Sequence, residues 1–105
     1  MIYTLNELSS LISPIANKYN LNSVYLFGSY ARNEADENSD IDILIDREGS
    51  LIKSLFDMSR LYNDLTNILQ KNIDLVTIQT LNQKTTRERK PQLVYNIEKE
   101  KIRII

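Results

Sequence analysis

Cysteine and histidine are both absent from the 105 residues of this chain. Their absence removes disulfide frameworks, thiolate nucleophiles, Ser-His mechanisms and the usual nitrogen and sulfur ligands of zinc. Any chemistry must therefore rest on carboxylates, hydroxyls, lysine and arginine. Clustered carboxylates with only oxygen donors favour hard cations, magnesium or manganese, over zinc or copper. Long apolar runs are missing too. None approaches a membrane span, and residues 1–7 carry neither a charged nor an apolar signal region, so the expectation is a cytoplasmic protein with no membrane partner. A basic excess is also lacking: 13 Lys and Arg stand against 14 Asp and Glu, a net charge of -1, which disfavours a broad electrostatic grip on nucleic acid. There is no internal repeat, low-complexity tract or linker. The length suits a single domain over residues 1–105, with no room for a separate substrate domain.

The remaining pattern is one of alternating helices and strands. Residues 4–19 read as a helix: Thr4 and Glu7 have capping-box spacing, Tyr3 and Leu8 can form a hydrophobic staple, and Leu8, Leu11, Ile12, Ile15 and Tyr19 recur on one face. Pro14 is a candidate kink. Residues 23–27 have the β-branched and aromatic content of a buried strand, ended by Gly28. Ser29 is placed to cap a short helix reaching about Ala35. In residues 40–46, Ile41, Ile43 and Ile45 alternate with Asp40, Asp42 and Leu44, so the strand puts two carboxylates on one face. A second long helix is expected over residues 50–71, on Leu51, Leu55, Met58, Leu61, Tyr62, Leu65, Ile68 and Leu69, with Lys71 at its negative end. Residues 74–78 form a third strand. A polar connection then leads to Lys90, Pro91 opens a last helix carrying Leu93, Val94 and Ile97, and residues 102–105 add a short strand. The fold class is α/β of the α+β type, a small mixed β-sheet flanked by helices.

Three features carry chemistry. Gly28 and Ser29 join a buried strand to a helix start, where glycine lets a phosphate approach the backbone and the free N–H groups and hydroxyl can donate to it. Taken alone, the pair is more often a plain turn and cap. Asp40 and Asp42 are like charges two residues apart on a half-buried strand, and they repel unless a cation or solvent relieves them. Two solvated surface acids are an equally good reading of that pair by itself. Asp74 opens another strand and can lie beside them, as a third metal ligand or as the acceptor of a proton from an attacking hydroxyl.

The joint pattern resembles the minimal nucleotidyltransferase (MNT) domains of the polymerase-beta-like nucleotidyltransferase superfamily. Leu26-Phe27-Gly28-Ser29-Tyr30-Ala31-Arg32 matches the strand-to-helix motif of that family. Ser39-Asp40-Ile41-Asp42-Ile43-Leu44-Ile45-Asp46 matches its metal-binding strand, and Asn72-Ile73-Asp74-Leu75-Val76 its third-Asp strand. Ten residues separate Ser29 from Asp40, the family's spacing. Two departures stand out: Asn33 replaces a common Gly, although Asn tolerates a left-handed turn, and Glu100-Lys101 replaces a Gly-containing turn.

The resemblance implies the polymerase-beta-like catalytic fold and a magnesium-dependent transfer from ATP, with manganese as an alternative ion. By the same resemblance Gly28, Ser29 and, more weakly, Arg32 bind the nucleotide. Asp40, Asp42 and Asp74 hold the metal and form the catalytic set. MNT proteins of this length resemble antitoxins that adenylylate a tyrosine of a partner HEPN ribonuclease toxin, so the implied partner is a HEPN toxin in a hetero-oligomer. Two alternatives remain: an antitoxin acting by contact alone, and transfer to RNA or a small molecule. The segment of residues 84–90, rich in Lys and Arg, could touch RNA or an acidic partner, though such a run is more often a solvated loop or helix start.

Overall fold

A computed structural model describes residues 1–105. Helix α1 (Leu5–Lys18) starts where the local sequence says it should. The Thr4 hydroxyl accepts from the Glu7 N–H at 3.1 Å and the Glu7 carboxylate accepts from the Thr4 N–H at 2.8 Å, a complete capping box. Leu8, Ile12 and Ala16 form its buried stripe, and Pro14 sits within the helix on an exposed position. Strand β1 (Ser23–Phe27) follows, then a one-turn helix α2 (Gly28–Ala31), strand β2 (Ile41–Asp46), helix α3 (Leu55–Leu69) and strand β3 (Ile73–Thr77). Two short helices, α4 (Ile78–Leu81) and α5 (Lys84–Arg89), lead to α6 (Pro91–Glu100) and strand β4 (Ile102–Arg103).

The sheet order is β3-β2-β1-β4. β1 pairs antiparallel with β2 and β4, whereas β2 and β3 run parallel, so the sheet is mixed as expected. Strand alternation divides the core. Val24, Leu26, Ile41, Ile43 and Ile45 pack on one side with residues of α1 and α3. Phe27 and Leu44 pack on the other with Leu81 of α4 and Val94 and Ile97 of α6. Asp42, two residues from Leu44, therefore belongs to the face covered by α6.

Four expectations need correction. The second long helix begins at Leu55, not at residue 50, because Ser54 and Asp57 build a capping box there and residues 50–53 turn instead. Leu51, Leu55, Tyr62 and Ile68 are consequently exposed, while Leu61, Leu65 and Leu69 face the core. Lys71 does not cap that helix, since Gln70 ends it in a left-handed conformation and Lys71 turns away to donate to the backbone oxygens of Glu37 at 3.1 Å and Ser39 at 3.5 Å. The connection before Pro91 contains helices α4 and α5. Thr77 caps α4 through the Thr80 N–H, and Arg87 of α5 pairs with Glu98 of α6 at 3.0 Å.

Candidate active site

Phe27 passes directly from extended backbone into α2, and no side chain caps that helix. Ser29 is thus inside the turn, not its cap, and the helix stops at Ala31, short of Ala35. The glycine at position 28 has a steric reason. Gly28 has φ +70, a conformation that side chains disfavour, and a Cβ there would overlap Oδ2 of Asp42 and lie 2.9 Å from its Cγ. Asn33 closes the turn at φ 58 in the left-handed region, which accounts for its replacing glycine without loss of the fold. Lys101, by contrast, has φ -58, so the position after Glu100 has no need of glycine.

The register places the acids. Asp42 is opposite Phe27 on β1 and opposite Asp74 on β3, so its carboxylate is bracketed by the Gly28 turn and a second acid. Asp42 is half-buried, whereas Asp40, just before β2, and Asp74 are exposed. Burial, then the charges of Asp74 and Asp40, push the Asp42 carboxyl up to about 6; Glu100 adds to the rise and Arg32 opposes it. The three acids do not converge into a closed three-ligand cluster. They are nevertheless close enough to repel, and an oxygen-only set of this kind suits a hard divalent cation, which would relieve the repulsion. The structure thus gathers Gly28, Ser29, Asp40, Asp42 and Asp74 at one end of the sheet.

Arg32 is committed elsewhere. Its Nε donates to Glu34 Oε1 at 2.6 Å, and its Nη1 donates to both oxygens of Glu100 at 3.1 and 3.0 Å. These partners, Glu34 first, raise its pKa above the usual guanidinium value. Glu100 Oε1 also accepts from the Gly28 N–H at 3.1 Å. In the sequence Glu100 stands out only as a departure from a turn motif, because a contact spanning 72 positions leaves no periodic or local signal. Beside Asp40 lies a polar groove of about 510 Å³, lined in part by Asn38, Ser39, Asn67, Lys71 and Asn72.

Residues 10–105 match the family model described as polymerase beta, nucleotidyltransferase. The chain is similar to MJ0435 of Methanocaldococcus jannaschii, whose name assigns it provisionally as a protein adenylyltransferase. The two are 44% identical over 78 residues, covering 73% of this chain and 81% of the relative. It is also similar to the protein adenylyltransferase MntA of Thermococcus cleftensis, at 35% identity over 82 residues, covering 74% of this chain and 81% of the relative. Among solved structures, a toxin-antitoxin with AMP-PNP superposes with a TM-score of 0.66 at 23% identity, covering 92% of this chain and 72% of that chain. A complex of tri-AMPylated Shewanella oneidensis HEPN toxin with MNT antitoxin gives a TM-score of 0.64 at 19% identity, covering 97% and 72%. At these identities the structural likeness is one of fold.

Proposed function

The chain belongs to the polymerase beta nucleotidyltransferase family, and on that premise we propose that it is a magnesium-dependent protein adenylyltransferase acting as the antitoxin of a HEPN ribonuclease toxin. It acts as a single domain in the cytoplasm, where ATP is supplied. The observation that carries the reading is the placement of Asp42 against Gly28 and in register with Asp74. Sequence relatives named for protein adenylyl transfer, and a fold shared with toxin-antitoxin complexes containing AMP-PNP or an AMPylated toxin, support the choice of substrate and partner.

In this reading Gly28 and Ser29 donate to the phosphates, and Asp40, Asp42 and Asp74 hold magnesium, or manganese in its place. When bound, the ion supplies charge neutralisation at the α-phosphate and the departing diphosphate. Asp74, exposed on β3, accepts the proton of the acceptor hydroxyl, a tyrosine by family resemblance. The acceptor oxygen forms a bond to the α-phosphorus and the α–β bridging bond breaks, giving AMP-protein and diphosphate. Placing the acid at an exposed sheet end leaves room for a partner protein to present that hydroxyl.

The test is an intact-mass measurement on this chain incubated with magnesium, each nucleoside triphosphate and a HEPN-type partner, with Asp40→Ala/Asp42→Ala as control. A magnesium-dependent adduct of one or more AMP units on the partner, absent with the control, is expected. An unmodified partner under all conditions overturns the proposal.

A further inference from the structure

One donor assigned to the triphosphate, the Gly28 N–H, is already engaged by an acid of the chain itself, and the same acid holds Arg32, the weaker nucleotide-binding candidate of the sequence. Glu100, the last residue of α6, takes the Gly28 N–H at 3.1 Å and grips Arg32 Nη1 with both oxygens at 3.1 and 3.0 Å. Its side chain is 20% exposed and that of Arg32 46%, so the carboxylate is partly enclosed while the guanidinium faces solvent. A phosphate oxygen seeking the same N–H meets a carboxylate in its place, and two anions on one donor repel.

We propose that Glu100 is an internal anion that competes with the triphosphate for Gly28 and Arg32 and thereby sets the nucleotide affinity of the chain; this rests on the nucleotide site proposed above. Arg32 is built for the exchange. Its Nε remains tied to Glu34 while Nη1 changes partner, so the guanidinium keeps its position and gains a free donor. Displacing Glu100 needs only a side-chain rotation, because the backbone of the α6–β4 junction is held separately by the pairing of Ile102 with Leu26 and Arg103 with Tyr25.

The experiment compares the binding of magnesium-ATP, inorganic triphosphate and adenosine to the full chain and to Glu100→Gln and Glu100→Ala by calorimetry, with thermal melting as a fold check. Gln keeps an acceptor for Arg32, so it reports on charge even where Ala loosens α6. Both triphosphate ligands are expected to bind at least about tenfold more tightly to Glu100→Gln, the scale of one charge-assisted hydrogen bond, with adenosine unchanged. Equal or weaker triphosphate binding by a folded Glu100→Gln chain overturns the competition and makes Glu100 a brace for Arg32. Binding by the unaltered chain without a gain in the variant removes only the role of Glu100. No binding by any chain removes the nucleotide site and this inference with it.

Discussion

Asp42 and Asp74 are register partners on adjacent parallel strands, each two residues from an apolar position of the same sheet face. Folding therefore half-buries the Asp42 carboxylate beside the Gly28 turn and sets a second like charge against it, a cost that stability alone gives no reason to bear. Asp42→Asn should abolish transfer while stabilising the chain at pH 7 by about 1–2 kcal/mol, after allowance for solvent screening. Urea unfolding in EDTA measures the second effect. A destabilised variant would contradict the repulsion.

The pH dependence of folding should show two opposed trends. Asp42 is raised, so the native state holds its proton more tightly than the unfolded state, and stability falls as pH rises from about 4 to about 6. Asp57, held down by the Lys53 N–H and then by Arg60, and Asp64, held down by Lys18 and Tyr19, act in reverse. Their contribution is present above the ordinary carboxylate range and is lost on acidification. Melting temperature in EDTA is expected to peak near about pH 4, and the decline above the peak should vanish in Asp42→Asn. A wild-type melting temperature that climbs steadily from pH 5 to 7 would refute the assignment.

Gly28→Ala should be costly twice over. The left-handed backbone disfavours a side chain, and the added carbon displaces the Asp42 carboxylate. A loss of about 2 kcal/mol or more in chemical denaturation is expected together with loss of transfer. Wild-type stability with retained activity would show that the turn is roomier than described.

Two buried tyrosines should respond oppositely to loss of the hydroxyl. Tyr3 donates to the backbone oxygen of Leu69 at 2.6 Å, closing α1 onto the end of α3, whereas the Tyr30 hydroxyl is buried without a partner. Tyr3→Phe is expected to cost about 1 kcal/mol, and Tyr30→Phe to be neutral or stabilising by up to about 1 kcal/mol. Equilibrium unfolding of both settles the order, and the reverse order would contradict the hydrogen bonding described.

What could be read from the sequence was what local chemistry decides. The Thr4–Glu7 box, the Ile41-Ile43-Ile45 alternation, the glycine at 28 and the left-handed Asn33 each follow from a few neighbouring residues. The start of α3 is hard to read because Ser50 and Ser54 are both plausible caps, and only Ser54 has Asp57 three residues on. Helices α4 and α5 were hidden in a polar segment. No residue of α5 is buried, so no apolar period announces it, and its ion pair to Glu98 forms only once α6 is packed. The candidate acids were visible as residue types at a spacing, but their ranking was not: the burial that singles out Asp42 from Asp40 and Asp74 depends on β1 and the Gly28 turn beside it.

The central claim is that neutralisation of the toxin is catalytic. The most direct test follows RNA cleavage by the HEPN partner after incubation with ATP, magnesium and either this chain or its Asp42→Asn variant, followed by removal of the antitoxin. Cleavage should be lost, and stay lost, only after exposure to the unaltered chain. A variant that restrains the toxin equally well, with activity returning once either chain is removed, would show that contact alone does the work.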